Sequence, residues 1–103
     1  MKFYIKHSMT GRLRVHMDMK HMSFKQADIL EYYIKNIETV TSVKVYEKTC
    51  DAVIEFSGDK AQIINALKHF TYSQVAVPDD VLNSSGREMN SYYQDKLVNK
   101  VFL

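Results

Sequence analysis

From Arg12 to Met19 polar and apolar residues alternate strictly. Arg12, Arg14, His16 and Asp18 fall on one side, and Leu13, Val15, Met17 and Met19 on the other, which is the period of a half-buried strand. Phe3 and Ile5 repeat the alternation upstream, so a single strand is expected from near Lys2, with Thr10-Gly11 marking a bulge or bend inside it. Ser23 with Gln26 three residues on reads as a capping box, and Phe24, Ala27, Leu30, Ile34 and Ile37 then recur at helical spacing, predicting a helix from Phe24 to Asn36. Val43 and Val45 alternate with Ser42, Lys44 and Tyr46. After a polar turn, Lys48-Thr49-Cys50-Asp51, the alternation resumes through Ala52, Ile54 and Phe56, which is the pattern of a hairpin.

Asp59 with Gln62 offers a second capping box, and Ile63, Ile64, Leu67 and Phe70 mark the buried side of a second helix. A short fourth strand is expected from Gln74 to Val77, closed by Pro78, which cannot donate to a continuing ladder. The expected order is β-α-β-β-α-β. Its natural packing is α+β: a ferredoxin-like sandwich of four antiparallel strands with both helices on one face, completed by residues 1–78. Residues 79–103 form a linker and a third helix. Asn83-Ser84-Ser85-Gly86 is the joint, Ser85 and Glu88 are a third capping box, and Met89, Tyr93, Leu97 and Val101 sit four apart on one stripe that needs a partner surface.

Composition narrows the class further. One core suits 103 residues with 46% hydrophobic side chains. A single cysteine, Cys50, excludes an internal disulfide framework and fits a reducing, cytoplasmic setting. No apolar run approaches the roughly 18 residues of a membrane span. The first 25 residues carry six Lys or Arg against Asp18 alone, yet the net charge of +2 is too small to imply a nucleic-acid partner. Two aromatics at defined positions of the central strands, the signature of an RNA-binding sheet, are lacking as well. Nucleophile motifs, phosphate-binding glycine loops and paired-cysteine spacings are absent from the sequence, so no catalysis is expected from this chain alone.

The candidate chemistry lies where strand hands over to helix. His16, Met17, Met19, His21 and Met22 put five soft or borderline metal ligands into seven residues, a set suited to Cu(I) or Zn(II). Core packing accounts better for Met17 and Met19, and an outer basic face for His16. His21 and Met22 remain as the primary candidates. The expected topology brings them to the same end of the sheet as Cys50 and His69, which gives His21, Met22, Cys50 and His69 as a two- to four-ligand metal site. The competing readings are ordinary: Met22 as the apolar staple of the helix start, Cys50 as an ordinary exposed thiol, His69 as a partner of the helix dipole.

Several segments together resemble the heavy-metal-associated-like domain at the amino end of bacterial heavy-metal-translocating P-type ATPases. They are Thr10-Gly11-Arg12-Leu13-Arg14-Val15, the Val40, Val43, Val45 strand after the first helix, and Ala52-Val53-Ile54-Glu55-Phe56. The tail from Gly86 to Lys100 is similar to the juxtamembrane segment that joins that domain to the transporter. The resemblance implies a cytoplasmic domain, part of a membrane protein, that handles metal or regulates the pump. Its partners would be the transporter's membrane and catalytic domains in cis. It departs from the better-known branch of the family, because the corner Met19-Lys20-His21-Met22-Ser23-Phe24 lacks the Met-x-Cys-x-x-Cys loop. A stand-alone metallochaperone is the nearest alternative. A non-metal interaction module, oligomerising through the third helix or the sheet face, is the alternative from another class.

Overall fold

The computed structural model describes residues 1–78, and the expected third helix lies outside the described residues. Four antiparallel strands and two helices form the expected α+β, ferredoxin-like arrangement. The strands are β1 (Phe3–Met9), β2 (Arg12–Met17), β3 (Val40–Tyr46) and β4 (Asp51–Phe56), and the helices are α1 (Phe24–Lys35) and α2 (Ala61–Lys68). Sheet order is β1-β2-β4-β3.

Connectivity differs from expectation at both ends. What reads as one long strand is a hairpin: Thr10-Gly11 is the turn, Gly11 sits at φ +74°, and the irregularity in register falls at Lys6, between Ile5 and His7. At the other end the strand expected from Gln74 to Val77 does not form, and no strand follows α2 among the described residues. Tyr72–Gln74 is instead one turn of 3-10 helix. One cause covers both corrections, since β1 already occupies the edge beside β2 where a strand after α2 would pair.

The first capping box forms as expected, with Ser23 Oγ accepting from Gln26 N–H and the Gln26 side chain accepting from Ser23 N–H. The second does not. Asp59 Oδ1 accepts from Ala61 N–H, two residues on, and Lys60 at the N-cap makes no capping bond with its side chain, which donates to Ser8 Oγ instead.

Alternation then sorts the side chains. Leu13, Val15 and Met17 of β2 and Ala52, Ile54 and Phe56 of β4 pack against Ala27, Leu30 and Ile34 of α1 and Ile63 and Leu67 of α2 in a single core. Phe70 completes the core beneath the rings of Tyr33 and Tyr72. The Tyr33 hydroxyl donates to the Ala66 carbonyl at 2.7 Å, tying α1 to α2, and the Met1 ammonium donates to the carbonyls of Lys68 and Phe70 at the end of α2. No helix among the described residues is long and apolar enough to cross a membrane. With the helices on one face, no element among the described residues covers the opposite face of the sheet.

Candidate functional site

The four residues expected to gather as metal ligands divide between core and surface. Met22 is 2% exposed and Cys50 4% exposed, both within the hydrophobic core, whereas His21 and His69 are exposed. His69 Nδ1 lies 2.9 Å from the Asn65 carbonyl one turn earlier. Cys50 occupies the left-handed region at φ +59° in the turn before β4. Burial, and then the neighbouring charge of Asp51, push its thiol above the ordinary value, which disfavours the thiolate that binds metal. His21 and Met22 share a cleft of about 410 Å³ with Lys20, Ser23, Phe24, Glu47 and Lys48. Among the described residues, no group of three or more His, Cys, Asp or Glu is placed to hold a metal ion.

Met19 is engaged too. Its sulfur accepts from the Tyr72 hydroxyl at 3.5 Å, and burial followed by the proximity of Cys50 pushes the Tyr72 phenol up to about 12.

The best-organised polar cluster lies elsewhere, on the open face of the sheet. Asp51 begins β4 with its side chain fully buried, opposite His16 of β2 and Tyr46 of β3. Its Oδ2 accepts from Lys6 Nζ at 2.9 Å, Arg14 Nε at 3.1 Å and Arg14 Nη2 at 2.9 Å, and its Oδ1 lies 2.7 Å from His16 Nδ1. One carboxylate thus ties β1 and β2 to β4. Burial alone would raise its pKa, but the hydrogen bonds from Lys6, His16 and Arg14 outweigh that cost and hold it at about 2.

Local geometry delivers each partner. The register irregularity in β1 leaves Lys6 without a partner on β2, and its ammonium reaches across to Asp51. Arg14 and His16 alternate outward from Leu13, Val15 and Met17, as the sequence predicts. Tyr4 pairs with His16 in register and packs its ring on the imidazole at 4.9 Å between centroids.

No protein-family model, curated protein or solved structure matches the chain. The site therefore has to be read from its own chemistry.

Around Asp51 the face is cationic and partly apolar. His7, Met9, Arg12, Arg14 and Val53 line a shallow depression of about 300 Å³ beside it. Lys44 lies 5.4 Å from the ring centroid of Tyr46, and Tyr4, Tyr46 and Met9 are exposed. Tyr, Met and Arg are side chains enriched in protein interfaces. The sequence reading placed Arg12, Arg14, His16, Lys44 and Tyr46 on this face but missed Asp51, Lys6 and Tyr4. The available signal was alternation: carried one residue upstream from Ala52, it puts Asp51 on the face of Val53 and Glu55.

Proposed function

We propose that residues 1–78 act as the cytosolic amino-terminal regulatory domain of a heavy-metal-transporting P-type ATPase, working by docking through the open sheet face. The observation that supports docking is the burial of Asp51 beneath Lys6, Arg14 and His16. A carboxylate withdrawn from water on an otherwise open face is costly unless fully partnered. Asp51 fixes two long cationic side chains, Lys6 and Arg14, in place, and side chains already ordered lose less entropy when a partner binds. The ATPase assignment rests on the resemblance of the Thr10–Val15 and Ala52–Phe56 segments and of the tail.

The experiment has two steps. The reading frame past Leu103 is expected to encode membrane spans and a phosphorylation segment, and removing residues 1–78 from that pump is expected to change its metal-stimulated ATP hydrolysis. A frame without spans leaves the stand-alone metallochaperone, and a pump indifferent to the deletion removes the regulatory role.

The cleft that joins His21 to Glu47 supports a second reading, metal handling at the first corner. Titration of the protein with Zn(II) and Cu(I), followed by the imidazole shifts of His21, tests it. Unmoved shifts at micromolar metal remove that reading.

A further inference from the structure

We propose that the open sheet face binds an acidic protein segment, with Arg14 and Arg12 as its carboxylate-binding anchors. This rests on the reading that the domain works by docking, and names the chemistry of the partner.

Charge gives the first argument. Among the described strand residues, Lys6, Arg12, Arg14 and Lys44 project from this face against the carboxylates of Asp51 and Glu55, an excess of two positive charges. A second copy of the same face would bring like charges together, which disfavours self-docking there.

Geometry gives the second. Asp51 takes Nε and one Nη2 hydrogen of Arg14, so Asp51 leaves unused the end of the guanidinium fork, Nη1 with the other Nη2 hydrogen, on a side chain 44% exposed. That end matches a carboxylate bidentately. The depression lined by His7, Met9, Arg12, Arg14 and Val53 lies beside it, and can take an apolar side chain that flanks the acidic one.

A nucleic acid fits less well. The exposed rings of this face, Tyr4 and Tyr46, lie on the edge strands. Stacking platforms use the centre of the sheet.

The test uses the full chain with fluorescein-labelled oligo-glutamate, oligo-uridylate of equal length as the competing probe, and amide shifts to locate binding. Oligo-glutamate is expected to bind in a salt-sensitive way and to shift Arg12, Arg14, Lys44 and Val53, with Arg12→Ala/Lys44→Ala, which leaves the Asp51 cluster intact, weakening it about tenfold. Tighter binding of oligo-uridylate, shifts centred on Lys20 and Lys48 instead, protection of the face by self-association, or no binding would each overturn the proposal. A null peptide result beside a pump altered by deletion of residues 1–78 rejects this partner and leaves regulation standing. An indifferent pump rejects regulation without touching the peptide result.

Discussion

His16 Nδ1 lies 2.7 Å from Oδ1 of Asp51, a carboxylate whose side chain has no exposure to solvent although it belongs to the sheet face that neither α1 nor α2 covers. Each residue stands opposite the other in the β2–β4 ladder, so backbone register alone sets the pair. Lys6 and Arg14 then close over the second oxygen.

Asp51→Asn should therefore destabilise the domain. It removes the charge that partners Lys6 and Arg14 while keeping the shape. Breaking a fully buried pair costs about 3 to 5 kcal/mol, but these cations are partly solvated, so about 2 kcal/mol is expected. Urea denaturation of the variant against the parent measures it.

Acid should act through the same carboxylate. The folded value of Asp51 is lowered to about 2, whereas an unfolded aspartate titrates at about 3.9. Its contribution is complete above the unfolded value, and is lost as pH falls through the folded one. Denaturation midpoints measured between pH 5 and pH 2 should thus fall for the parent and fall less steeply for Asp51→Asn.

Gly11→Ala should cost about 1 to 2 kcal/mol. The turn between β1 and β2 holds Gly11 at φ +74°, and an added Cβ would stand 3.3 Å from the Phe56 carbonyl oxygen. Phe56 N–H also donates to the Gly11 carbonyl at 3.0 Å, so the strain would reach β4. Thermal unfolding compared with Gly58→Ala, where a Cβ meets nothing within 4 Å at φ +83°, separates the clash from the backbone preference shared by both sites.

Met22→Ala should destabilise by about 2 to 4 kcal/mol through the cavity it leaves, while His21→Ala should stay within about 0.5 kcal/mol of the parent. The first side chain is 2% exposed within the core and the second is at the surface. Equal losses from the two substitutions would contradict this division.

The elements legible in the sequence were those whose signals are local. Ser23 with Gln26 states where α1 begins, and Ala27, Leu30 and Ile34 state which side it buries. The β3–β4 hairpin followed from period-two alternation. Less legible were features decided by which strand reaches an edge first. Thr10-Gly11 serves a turn as readily as a bulge, and the true irregularity at Lys6 is invisible until Ser8 pairs with Leu13. Gln74–Val77 has the composition of a strand, yet β1 occupies the edge it would need. Asp51 read as a turn residue because the polar run Lys48-Thr49-Cys50-Asp51 precedes it. Only pairing with Tyr46 and His16 makes it the first residue of β4.

The exposure of β1 has a dynamic consequence. Tyr4, Ile5 and Met9 remain 54%, 40% and 55% exposed, so this strand buries little apolar surface, and its ladder to β2 is aided by the reach of Lys6 to Asp51. Segments held by so few buried contacts open at lower free energy than the core. Amide protons of β1 should exchange with solvent ahead of those in β2 and β4, and each opening of that seam would unlatch Lys6 and bare the flank of β2.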